Sequence, residues 1–153
     1  MHRRQTLSLL QRITPVAVAT ALLLTGCSST VEVAAPDAAD HPACADVAWP
    51  EEISGHARVG TTPEAPWVAA WGDPAIIARC GLPAMEPTTL DCVGVDDIDW
   101  IVKELDGGTA MVTYSTDPAL EVLVPDTYGP GPLLLPAFTD IARSLPQTGQ
   151  ECT

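Results

Sequence analysis

Positive charge is scarce in this sequence. Seven Lys and Arg stand against 20 Asp and Glu among 153 residues, and Lys103 is the one lysine. A protein that grips nucleic acid neutralises phosphates with clustered Lys and Arg, so a formal charge of −13 excludes that class. Aromatics are few as well. One Phe and two Tyr leave Trp49, Trp67, Trp71 and Trp100 to supply the large core volumes. Motifs that carry familiar chemistry are missing: there is no G-x-S-x-G, no P-loop, no G-x-G-x-x-G, no H-E-x-x-H and no C-x-x-C. No cofactor is implied. What remains is 46% hydrophobic, which excludes global disorder, with 15 Pro and 11 Gly, which predict short elements and many loops.

The N-terminus sets the expected compartment. His2, Arg3, Arg4 and Arg12 make a basic start, and the first acid is Glu32. The apolar run at residues 13–24 has the length of a signal-peptide core and falls short of the ~20 residues needed to span a bilayer. It ends in Leu24-Thr25-Gly26-Cys27, which resembles the bacterial lipobox. That resemblance implies a diacylglyceryl thioether on Cys27 and removal of residues 1–26. Arg3-Arg4 also hints at twin-arginine export, although Gln5-Thr6 is a poor continuation. The mature chain then carries four basic residues, Arg58, Arg79, Lys103 and Arg143, against all 20 acids, a formal charge of −16. Such a domain is repelled by an anionic membrane, so its attachment must come from the lipid. Residues 27–41 are Ala, Ser, Pro and Asp-rich and read as a flexible tether. Residues 42–153 read as one globular domain in an extracytoplasmic, lipid-anchored protein.

Four further cysteines, Cys44, Cys80, Cys92 and Cys152, form an even set in an exported chain and read as two disulfides. Three connectivities are open. Pairing Cys80 with Cys92 and Cys44 with Cys152 is favoured, since the first closes a local loop and the second ties the domain's start to its end. A thiolate metal site is the weaker alternative, because the mature chain offers only His41 and His56 beside the cysteines.

Local patterns suggest an α+β domain: a small antiparallel sheet of three to five strands, covered by one or two short helices and stapled by disulfides. Residues 42–49 read as a helix capped by Asp40 and ended by Pro50. Asp73, Pro74 and Gly81 punctuate a second predicted helix as N-cap, first-turn proline and left-handed exit. Residues 56–66 read as loop. Residues 90–95, 98–105 and 120–124 read as strands, and Asp106-Gly107-Gly108 reads as a hairpin turn leading to a return strand. Leu134, Phe138, Ile141 and Leu145 fall at helical spacing, with Pro146 ending the pattern.

The order of Cys44, then Ala69-Ala70-Trp71-Gly72-Asp73-Pro74, Arg79-Cys80-Gly81, Cys92 and Asp99-Trp100 resembles a family of uncharacterised lipoproteins from high-GC Gram-positive bacteria, known as domain of unknown function 3515. The resemblance implies a small secreted or membrane-tethered domain and brings no activity, cofactor or catalytic residue with it.

Among individual residues, Arg79 is a candidate carboxylate clamp, with a salt bridge to Asp73 or to a sheet acid as the alternative. Trp67 and Trp71 are candidate stacking platforms for a sugar or peptidoglycan fragment, against ordinary core packing. Asp96, Asp97 and Asp99 are weak candidates for Ca²⁺, a hard cation that takes carboxylate oxygen. The EF-hand pattern fails there, because Val102 stands where its glycine belongs, and an exposed turn is the plainer reading. Ser54-Gly55-His56 places Ser and His too close in sequence for a working dyad. These features describe a non-catalytic accessory or binding domain for an envelope protein or peptidoglycan partner. A small cell-wall hydrolase and an acidic metal- or ligand-binding surface protein are the alternatives.

Overall fold

The computed structural model describes residues 30–152. Strand β1 (Val31–Glu32) and the one-turn helix α1 (Pro42–Ala45) are followed by β2 (Glu52–Ile53), β3 (His56–Val59), β4 (Thr61–Thr62), β5 (Val68–Trp71) and β6 (Ile76–Leu82). The second half supplies β7 (Cys92–Val95), β8 (Ile98–Leu105), β9 (Gly108–Thr113) and β10 (Ala119–Pro125), then a 3-10 stretch at Gly131–Phe138 and helix α2 (Thr139–Ser144). Eight strands form one sheet in the order β2-β3-β5-β6-β10-β9-β8-β7, while β1 and β4 pair in a separate two-stranded ribbon. Every neighbouring pair in the large sheet is antiparallel, and β1 with β4 is parallel.

The sheet is therefore larger than the expected three to five strands. Residues 56–66, read as loop, contain β3 and β4. The helix expected from Asp73 to Gly81 is instead a turn followed by β6. Ile76, Ala78 and Cys80 are buried while Ile77 and Arg79 are only partly so, a period of two that β-branched residues favour. Gly81 has φ +116° and is skipped in the β6–β10 register, where Leu82 pairs with Ala119 and Cys80 with Leu120. It is the extra residue of a β-bulge, not a helix exit, and both roles suit a glycine.

Two-residue turns with positive φ close the hairpins at the two edges of the large sheet: Ser54-Gly55 between β2 and β3, Asp96-Asp97 between β7 and β8. The predicted turn after β8 is present, with Gly107 at φ +89°. The 3-10 stretch and α2 lie against β8, β9 and β10 and bury Leu134, Phe138, Ile141 and Leu145, the four residues expected on one helical face. Pro136 inside this stretch lacks an N–H, and its first eight residues wind as 3-10 rather than α-helix. All four tryptophans are buried, Trp71 and Trp100 completely. Helix α1 stops after Ala45, and His41 caps it through Nδ1 on the Ala43 N–H (3.2 Å), where Asp40 was expected.

The disulfides pair Cys44 with Cys80 and Cys92 with Cys152, with Cα–Cα distances of 5.5 and 5.9 Å. The favoured Cys80–Cys92 link fails because β10, β9 and β8 separate β6 from β7 in the sheet. Four strand spacings of about 4.8 Å exceed the ~7 Å limit for a bridge severalfold. Twelve residues of separation in the chain carry the polypeptide across the whole half-sheet.

The expected tether also needs correction over its described part. Val31 N–H donates to Gly60 O and Val33 N–H to Thr62 O, both at 2.9 Å, and Val33 is buried. Further along, Ala38 N–H donates to Gly81 O at 2.9 Å. A Cβ at Gly81 would lie 2.7 Å from the Ala38 backbone. Residues 30–41 are a docked arm of the domain.

Three outcomes are expected. Non-reducing peptide mapping yields the Cys44–Cys80 and Cys92–Cys152 pairs. Chain entropy assigns each bridge roughly 4 kcal/mol. The Cys44→Ala/Cys80→Ala pair costs ~1–2 kcal/mol more in urea titration, because both sulfurs are fully buried and leave a cavity. Gly81→Ala costs about 2–4 kcal/mol and exposes the arm to limited proteolysis, since φ and the Ala38 backbone both oppose a side chain.

Candidate functional site

Arg79 sits on β6 directly opposite Glu121 of β10, and their side chains form an ion pair through Arg79 Nε and Glu121 Oε2. The side chains are 24% and 11% exposed, so the pair is partly shielded from solvent. Arg79 Nη1 also donates to Ala34 O of the docked arm at 3.0 Å. Its guanidinium thus joins a sheet acid to the N-terminal segment. Of the two roles weighed for Arg79, the structure displays the salt bridge, and the partner is Glu121 rather than Asp73, which is exposed in the turn before β6.

Trp71 is fully buried, donates from Nε1 to Pro50 O (2.9 Å), and packs edge-on against Trp49 and Phe138. Trp67 is buried at the start of β5. Neither offers an open face for stacking; both belong to the core. After Trp71, Gly72 adopts φ +75°, and a Cβ there would stand 2.6 Å from Tyr128 Oη. That hydroxyl donates to Pro74 O at 2.6 Å, and the Tyr128 ring lies 4.5 Å from the His56 ring. Tyr128 and His56 therefore cover the Gly72–Pro74 turn. Ser54 belongs to the turn before His56 and makes no dyad with it.

The three acids divide. Asp96 Oδ2 accepts from Thr139 Oγ1 (3.1 Å), and its backbone carbonyl accepts from Arg143 Nη2 (2.7 Å). Asp97 is almost fully exposed and lies 3.8 Å from Arg143. Asp99 Oδ2 accepts from the backbone N–H of Cys152 at 2.7 Å. Among the described residues no set of three metal-ligating side chains converges. Cys27 lies outside the described residues.

Among the concavities of the described residues are two open grooves. One, of about 390 Å³, runs along the C-terminal segment and is lined by Asp97, Asp99, Ser115, Gln147, Gln150 and Glu151. Ser115 Oγ has no protein hydrogen-bond partner among the described residues. The other, of about 410 Å³, lies between Arg58, Glu64 and Pro66. The first can accept hydrogen bonds or positive charge from a partner. Ser115 and the contacts of Tyr128 with Pro74 and His56 have no local signal in the sequence, because they join residues dozens of positions apart.

A family model described as "Protein of unknown function (DUF3515)" matches residues 12–149. The chain belongs to that family. No curated protein and no solved structure matches it. The residues on which its resemblance to DUF3515 rested now have visible tasks in this chain. Trp71 and Trp100 fill the core, Gly72 admits Tyr128, Arg79 pairs with Glu121, Cys80 and Cys92 form the bridges, Gly81 admits the arm, and Asp99 holds Cys152. The motif builds the fold.

A double-mutant cycle on Arg79 and Glu121 tests this ion pair. Each single Ala variant is expected to lose ~2–4 kcal/mol, because the survivor is left as a shielded, unpaired charge. The double variant is expected to recover about 1–3 kcal/mol of the summed loss, read from denaturant midpoints.

Proposed function

We propose that this DUF3515 chain is an extracytoplasmic lipoprotein, held on the outer face of the cell membrane by a lipid on Cys27, whose domain is a non-catalytic accessory or binding module. Its partner is an envelope protein or a cell-wall component. One observation supports this reading above others: the charged, aromatic and cysteine residues that could have carried chemistry are mostly engaged in holding the chain together. Arg79, Trp71, His56, Asp96, Asp99 and four cysteines all have internal contacts. Two bridges in one small domain also suit an oxidising, exported setting. The basic start, apolar run and lipobox-like Leu24–Cys27 stretch supply the anchor.

The C-terminal groove favours a second reading, in which the domain takes up a cation. Asp99 argues against it, since one carboxylate oxygen is already committed to Cys152. Calorimetry with millimolar Ca²⁺ separates the two, with no heat expected for the binding-module reading.

The anchor has its own test. Mass spectrometry of the protein from native membranes is expected to show loss of residues 1–26 and an acyl adduct on Cys27. Cys27→Ala is expected to remain unprocessed and to lack the adduct. An intact Met1 without acylation in the wild-type product overturns the proposal.

A further inference from the structure

The docked arm changes how far the domain can stand from a membrane. A free tether through His41 would let the domain rise about 50 Å, at ~3.3–3.6 Å per extended residue. In the structure the arm is already fastened at Thr30. Thr62 Oγ1 donates to Thr30 Oγ1 at 3.1 Å, and Val31 N–H is bonded to Gly60 O. Gly60 leaves room for Thr30, whose Cγ2 would lie 3.2 Å from a Cβ placed there. Whatever path residues 28 and 29 take, three Cα–Cα steps join Cys27 to Thr30 and span at most about 11 Å.

We infer that the β1–β4 ribbon is seated on the headgroups of the outer leaflet. This rests on the proposed lipid at Cys27, and the occupant of the surface is the bilayer that holds that lipid. Headgroups occupy roughly 5–8 Å of each leaflet. A chain of ~11 Å starting at the lipid therefore reaches little beyond them. At that end the run Val59–Pro63 carries no charge, while the exposed Glu32 of β1, which pairs with Thr62, and the exposed Glu64 flank it. Arg58, just before the run, is exposed and has no ion-pair partner among the described residues, although Glu64 lines the same groove. An Arg at this height can meet lipid phosphate.

The acidic groove is placed differently. Asp97 and Asp99 belong to the β7–β8 hairpin, at the opposite edge of the large sheet from β3. Six strand spacings from β3 to β7 amount to about 29 Å along the sheet. Seating the ribbon on the membrane leaves that groove directed to the cell-wall side.

The test uses the full acylated protein, reconstituted into phosphatidylglycerol–phosphatidylethanolamine vesicles that carry a nitroxide quencher on a fraction of headgroups. A fluorophore is attached at Glu64→Cys or at Asp97→Cys, both exposed positions. Flotation is scored first, quenching second. With flotation intact, the Glu64 probe is expected to be quenched severalfold more than the Asp97 probe. A ten-residue Gly/Ser insert between Ser29 and Thr30 is expected to abolish the difference. Equal quenching at the two positions in the floating protein overturns the seating while leaving the lipoprotein reading intact. An insert without effect likewise overturns the short-tether basis. Failure to float, with no acyl adduct on Cys27, overturns both.

Discussion

Close approach of two backbones at Gly81 is the constraint on which the rest of this fold turns. Ala38 can donate to the Gly81 carbonyl only because no Cβ stands between them. The two residues before Gly81 work on the same junction. Cys80 reaches inward to Cys44, fixing the one-turn helix that follows the arm, and Arg79 holds Glu121 on one side and the Ala34 carbonyl on the other. Three consecutive residues of β6 thereby gather the sheet, the first helix and the N-terminal arm. A bulge is what allows this. Without the extra residue, the strict alternation of a strand would set positions 79 to 82 on fixed faces, and the β6–β10 register could not shift between Leu82 and Cys80.

Much of the second half was legible because its signals are local. The glycines after Asp106 demand a turn, the alternation of residues 98–105 demands a half-buried strand, and Leu134 to Leu145 fall on one side of a helical winding. The stretch from Asp73 to Gly81 misled for an equally physical reason. Asp-Pro opens a helix or a turn, and glycine with positive φ ends a helix or makes a bulge, so the same punctuation serves both. Only the spacing between Ile76, Ala78 and Cys80 discriminated, and nine residues give a period of two little room to show itself. The arm has the composition of a tether, because Ala, Pro and Asp announce no packing. Its order comes from backbone groups of Gly60, β4 and β6, which a residue pattern does not display.

Pairings across the sheet were the least legible. Strand β6 passes its chain to β7 at the far edge, and β8, β9 and β10 then return to fill the gap. That excursion makes Glu121, 42 residues on, the neighbour of Arg79, and carries Cys92 away from Cys80. Loop length alone favoured the local bridge, whereas sheet order decides which sulfurs can meet. The acid triplet shows the same limit on a smaller scale. Asp96 and Asp97 form the turn itself, while Asp99 lies in β8 and turns to the Cys152 amide, so three near neighbours in sequence have three different surroundings.

Charge and anchoring bear on one another in the proposed seating. Each acid near an anionic leaflet is disfavoured by an amount comparable to the ~1 kcal/mol that attracts a Lys or Arg, and this decays within a Debye length of about 8–10 Å. A short tether would therefore be costly if carboxylates crowded the membrane-side end, and nearly free of penalty if they stood farther out. Beside the arm, the uncharged run from Val59 to Pro63 and the preceding Arg58 dilute the exposed carboxylates of Glu32 and Glu64. The hairpin carrying Asp96, Asp97 and Asp99 stands at the other sheet edge. A diacyl anchor, with two chains of buried CH₂ groups, needs no help from protein charge to remain inserted. The acidity of the domain is then available for the side that faces away from the lipid, where an amine-rich or cationic partner would find it.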